Sequence, residues 1–145
     1  MTMKILYTLA AMGAGVAASF QGAANSGLAA RTGLGAALVI NTTLVLVGSL
    51  VFYFATGSPA IFFPAGTPWF LYIGGLCGFV FILANAFVFP KIGAASAVAL
   101  LVLGQGAAAL ALDQFGLMGL ARQPISFSRL AGLALIVVGV VLMRR

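Results

Sequence analysis

Five side-chain amides, Gln21, Asn25, Asn41, Asn85 and Gln105, and a single carboxylate, Asp113, are the groups of this chain best suited to handle a polar ligand inside its apolar runs. An amide offers donors and an acceptor without charge, so it can hold a neutral polar solute or tie one helix to another. It makes a poor general acid or base at neutral pH. The chain has no histidine, and Asp113 is its only acidic residue. Cys77 stands alone inside an apolar run and reads as packing. No triad, metal-ligand cluster, phosphate-cradling loop or dinucleotide fingerprint is present. The sequence therefore predicts no enzyme, no cofactor and no bound metal.

The amides must be positioned by apolar segments. Five such runs, 5–24, 34–54, 69–89, 92–112 and 127–143, fill the 145 residues. Each approaches the ~20 residues that a helix needs to cross a ~30 Å hydrocarbon core. The chain is 63% hydrophobic and 6% charged, with mean hydropathy +1.24, whereas a soluble domain carries about a quarter charged residues. This predicts an all-α integral membrane protein of five transmembrane helices, a single transmembrane domain over 1–145. Its first partner is the lipid bilayer. The first run follows Lys4 and contains Ala17, Ala18 and Ser19, which resembles a signal peptide. It is longer than such a core and four more spans follow, so it reads as a retained first span.

A net charge of +6 could suggest nucleic acid. The basic residues Lys4, Arg31, Lys91, Arg122, Arg129, Arg144 and Arg145 instead lie singly or as a terminal pair at the ends of apolar runs. They read as headgroup contacts and orientation signals, with no nucleic-acid partner.

The gap 55–68 carries three prolines and reads as a loop, with Ile61, Phe62 and Phe63 dipping into the interface. Trp69 and Tyr72 then open the third span, where amphipathic aromatics are favoured and can meet a substrate. Pro90 and Lys91 predict a very short turn that makes spans three and four antiparallel neighbours, with no proline inside any span. Glycine pairs at Gly13/Gly15, Gly74/Gly75 and Gly104/Gly106 are the expected places for a helix break. Small residues four apart, such as Gly13/Ala17, Ala18/Gly22, Gly74/Gly78, Gly93/Ala97 and Gly104/Ala108, predict faces where helices approach closely. No internal repeat is apparent.

With span centres near residues 14, 44, 79 and 102, Gln21 lies ~10 Å, Asn85 ~9 Å and Asn41 ~4–5 Å from the midplane, all on the side where the first span exits. Gln105 lies ~4–5 Å toward the opposite side. Asn25 shares a helix face with Gln21 and reaches toward the interface. Two roles stay open for these residues: a polar vestibule lining a solute path, or interhelical hydrogen bonds worth ~0.6 kcal/mol each on average. Asp113, at the end of span four, is either a helix-end partner of Arg122 or Arg129 or the one candidate for proton or cation coupling.

The strings SFQGAAN (19–25), TPWFLYIGGLCG (67–78), PKIGA (90–94), GQGAAALALDQFG (104–116), RQPIS (122–126) and RLAG (129–132) occur in order across almost the whole chain. Together they resemble the YdcZ-like family of the drug/metabolite transporter superfamily. The resemblance implies a bacterial inner-membrane, multi-pass protein, half the size of ten-helix transporters built from two inverted five-helix repeats. It differs from the four-helix small multidrug exporters, which rely on a first-helix glutamate that this chain lacks. The resemblance does not name a cargo.

These features predict a small secondary transporter or facilitator for a small polar or weakly cationic metabolite or drug. It would act as a dimer, homodimeric or with a paired homologous subunit, and antiparallel in arrangement. The alternatives are a dual-topology small ion channel and a non-transporting assembly subunit. Charges barely choose an orientation: Lys4, Arg122 and Arg129 fall on one side, against Arg31, Lys91, Arg144 and Arg145 on the other.

Overall fold

The computed structural model describes residues 2–57 and 64–143. Ile61, Phe62 and Phe63, read as an interfacial dip, and the terminal Arg144 and Arg145 lie outside the described residues. The described chain is helical, without strands: α1 (Thr2–Thr32), α2 (Leu34–Thr56), a 3-10 turn (Trp69–Ile73), α3 (Gly74–Ile92), α4 (Ala94–Phe115), a second 3-10 turn (Leu117–Gly119) and α5 (Phe127–Met143). Lipid offers backbone groups no hydrogen bonds, so an apolar segment must satisfy them within itself. α1 to α4, with the 3-10 turn leading into α3, are long and apolar enough to cross a membrane. α5, with 17 residues, sits at the short end of the range of about 17–25.

By packing, the chain divides into two compact units, Met1–Pro90 and Lys91–Arg145. In the first, α1 packs on α2; in the second, α4 packs on α5. Large side chains such as Phe20, Phe52, Phe54, Leu76 and Leu135 are exposed, while the buried apolar residues are Ala37, Ala86, Phe89, Ala97 and Val140. Such a surface suits lipid as the outer solvent.

Several boundaries differ from the sequence expectation. α1 does not end near Ala24 but runs on to Thr32. Asn25 and Ser26 leave the backbone ladder intact, and the Thr32 hydroxyl donates to the Leu28 carbonyl at 3.0 Å. At 1.5 Å per residue α1 is ~46 Å long, so it must tilt or project beyond a ~30 Å core. Its break comes at Gly33, with φ 85° and ψ 152°, a conformation open to glycine alone. The Gly33 N–H closes α1 on Ala29 at 2.9 Å, and the Gly33 carbonyl opens α2 by accepting from Ala37 at 3.1 Å.

Gly93 repeats this hinge at φ 80° and ψ 154°, again accepting from the residue four on, Ala97, at 3.1 Å. Both alanines are buried, and a basic residue stands two positions before each glycine, Arg31 and Lys91. The local motif thus occurs twice, although no repeat was evident in the sequence. It also corrects the expected turn at Pro90. α3 runs through Pro90 to Ile92 and the helix breaks at Gly93. A helix can carry a proline near its end, whereas a glycine at positive φ leaves the helical conformation and interrupts it.

Of the three glycine pairs expected to break helices, Gly74/Gly75 marks a change, from the 3-10 turn into α3; α1 and α4 pass unbroken through the others. The small-residue faces also separate. A Cβ added at Gly22 or Gly106 would press on a neighbour, but at Gly13, Gly74, Gly78, Gly93 or Gly104 it would meet nothing within 4 Å. Cys77, read as packing, is exposed.

Candidate functional site

The hinge at Gly33 makes α1 and α2 a helical hairpin, and it puts two of the amides in register. Asn25 lies eight positions before Gly33 and Asn41 eight after it. Each is therefore ~12 Å along its helix from the turn, at one common depth. The protected residues of α1 include Ala18, Gln21, Gly22, Asn25, Leu28 and Ala29, at helical spacing, and those of α2 include Leu34, Ala37, Leu38 and Asn41. Asn25 is 6% exposed and Asn41 half-buried. The Nδ2 groups of both are buried and have no hydrogen-bond partner.

A buried donor left unpaired costs ~1–3 kcal/mol. No carbonyl or side-chain oxygen of the described chain supplies the missing acceptor to either group. Nearby hydroxyls turn inward on their own helices: Thr42 donates to the Leu38 carbonyl at 2.8 Å and Ser49 to that of Val45 at 2.8 Å. The hairpin thus holds two uncharged donors at one level within apolar surroundings. That arrangement can accept a carbonyl, hydroxyl or ether oxygen of a guest.

One turn from Asn25, α1 comes into tight contact with α3. A Cβ at Gly22 would lie 2.4 Å from Phe89 Cζ and 2.7 Å from Cε1, so the ring rests on bare backbone. Phe89 is buried, and Asn85, four residues earlier on the same α3 face, is 2% exposed. Gln21, beside Gly22, is half-buried. Trp69 and Tyr72 are exposed on the 3-10 turn. Gln105 is exposed on unbroken α4, in the second unit.

That unit holds the charged cluster. Arg129 Nη1 donates to Asp113 Oδ2 at 3.2 Å, with both side chains about a third exposed. Arg129 Nη2 donates to Gln123 Oε1. The returning segment is strapped to the end of α4: the Gln123 N–H donates to the Asp113 carbonyl at 2.8 Å, the Ile125 N–H to Gln114 Oε1 at 2.7 Å and Arg122 Nε to the Gln114 carbonyl at 3.0 Å. Of the two sequence candidates, Arg129 is the partner of Asp113. Gln114 and Gln123 escaped the sequence reading because they lie outside the apolar runs. The one signal for them was their place beside the chain's sole acid and between two arginines. An open groove of about 380 Å³ runs from this ion pair between α4 and α5, lined by Gly106, Ala109, Leu110, Gly132, Leu133 and Ile136.

Over residues 6–142 the chain matches the family model described as "Putative inner membrane exporter, YdcZ". A search of curated proteins returns no match, and neither does a search of solved structures.

Proposed function

The chain belongs to the YdcZ family of inner-membrane exporters, and from that membership we propose a small secondary transporter or facilitator whose solute path is built on the Asn25–Asn41 pair. The observation that carries this reading is the pair of buried, unpartnered Nδ2 donors at one depth of the α1–α2 hairpin. Groups meant only to bind helix to helix would have their partners in the folded chain. These two are better explained by an acceptor that arrives with the cargo and leaves with it.

The cargo is a small polar or weakly cationic molecule. No fixed charge sits among these amides to balance a highly charged one, and an uncompensated charge in the membrane interior is costly. Gln21 and Asn85, on protected faces of α1 and α3, extend the polar set, with Trp69 and Tyr72 as aromatic contacts. Gln105, on α4 in the second unit, is a separate candidate solute contact. The working form is a dimer, homodimeric or with a paired homologous subunit, its members oppositely oriented as in the inverted repeats of secondary transporters.

Purified protein in proteoliposomes, offered a panel of neutral and weakly cationic metabolites, tests this. Saturable flux and stimulation by solute on the far side are expected. Single-channel currents would make it a channel instead, and silence toward all solutes would leave an assembly subunit.

A further inference from the structure

The groove between α4 and α5 has a polarity that the solute path does not use. Asp113 and Arg129 sit at its mouth, at the end of α4 and in the first turn of α5. The negative pole of the α4 dipole falls beside a carboxylate, and the positive pole of the α5 dipole beside a guanidinium. The groove's own lining therefore carries one fixed charge of each sign, while Arg122, held by the Gln114 carbonyl at the same end of α4, stands outside that lining. From the mouth the groove descends two helical turns, from Asp113 to Gly106 on one wall and from Arg129 to Ile136 on the other, a depth of ~10 Å. Its walls there are apolar. Toward the inner end the helices close in, since a Cβ at Gly106 would lie 3.2 Å from Leu133 Cδ1.

A dipolar mouth at the ends of two membrane helices, above an apolar slot, complements one kind of molecule. We propose that this groove seats a single zwitterionic phospholipid bearing a primary ammonium, of the phosphatidylethanolamine type. Its phosphate meets Arg129 and its ammonium meets Asp113, while the upper part of an acyl chain lies along Gly106, Ala109, Gly132 and Leu133. Asp113 Oδ2 is taken by Arg129, and its second oxygen remains to accept from the ammonium. Lone basic residues such as Lys4 and Arg31 draw anionic lipid; a balanced pair does not. A free solute would satisfy the mouth but leave the slot empty, so the lipid is the better occupant.

Native mass spectrometry of the purified full-length protein, titrated with phosphatidylethanolamine, phosphatidylglycerol or free phosphoethanolamine, tests the assignment. One phosphatidylethanolamine should be retained in preference to phosphatidylglycerol, and free phosphoethanolamine should not compete. Gly132→Leu fills the slot at a position where an added Cβ meets nothing within 4 Å. It should weaken retention about tenfold, or about 1.4 kcal/mol. Asp113→Asn leaves Arg129 unbalanced and should reverse the preference toward phosphatidylglycerol. Equal retention by the wild type and Gly132→Leu would overturn the proposal. So would a wild-type preference for phosphatidylglycerol, competition by free phosphoethanolamine, or a change of oligomeric state in Gly132→Leu with lipid binding intact, which would make the groove a seat for a second copy.

Discussion

Phe89 rests its ring on the bare backbone of Gly22, so closely that a Cβ there would stand 2.4 Å from Phe89 Cζ. The contact joins α1 to α3 one turn away from Asn25 and four residues after Asn85. It is a close approach between two of the helices that carry amides. Gly22→Ala should therefore destabilise the protein by ~1–3 kcal/mol through overpacking of a buried ring. Pairing it with Phe89→Leu, which vacates the space, should recover much of that loss. Thermal unfolding of the two single variants and the double variant measures the coupling. Additive effects would mean that the ring is not what Gly22 accommodates.

Asn25 and Asn41 separate the two roles of a membrane amide by the sign of the stability change. An amide binding helix to helix loses ~0.6–2 kcal/mol on replacement. An unpartnered donor costs the fold energy, so Asn25→Leu and Asn41→Leu should leave stability unchanged or raise it by ~1 kcal/mol. Flux in proteoliposomes should nevertheless fall at least severalfold. Loss of stability with unchanged flux per folded molecule would return both residues to a structural role.

Gln21→Leu and Gln105→Leu should reduce flux more than folded yield. Gln105 is the cleaner test, because it is exposed on an unbroken helix and its replacement leaves no buried group unpaired. Uptake kinetics normalised to folded protein decide the matter. Unchanged kinetics in both variants would remove them from the path.

Asp113 is committed to Arg129 at a helix end, so we expect it not to be an obligatory coupling site. Asp113→Asn should cost no more than ~1 kcal/mol, the usual range for a partly solvated pair. It should leave solute flux measurable and its pH dependence little altered. Abolition of all pH-dependent flux in this variant would show that the carboxylate couples transport.

Alternating five spans would put Lys4, Arg122 and Arg129 on one side and Arg31, Lys91, Arg144 and Arg145 on the other, a near-balance of charge. Insertion in both directions is expected, which supplies the two halves of an antiparallel dimer from one chain. Cysteine labelling from each face of the membrane reads the ratio. A C-terminus found on one face alone would exclude the antiparallel homodimer and require an oppositely oriented partner subunit.

The amino-acid sequence alone determined that this is a helical membrane protein, and it named the amides that stand within its apolar stretches. Hydropathy along the chain suffices for that, because lipid forces each long apolar run to satisfy its backbone as a helix. Hinges and faces were decided only by the tertiary structure. Helices apolar on every side carry no hydrophobic stripe to announce which face packs. Nothing in the composition of α1 therefore said that Gly22 would receive Phe89 while Gly13 stayed open. The ends of the helices were equally hidden. The two turns from Ser26 to Thr32 were indistinguishable from a loop until Gly33 was seen at positive φ, and Pro90 looked like the break that Gly93 makes. Arg129 was one of two candidates for Asp113; the return of 120–126 along α4 decided between them, through hydrogen bonds from backbone positions that no side-chain pattern encodes. The level pairing of Asn25 with Asn41 needs both results, since residue types come from the chain and register from the hinge.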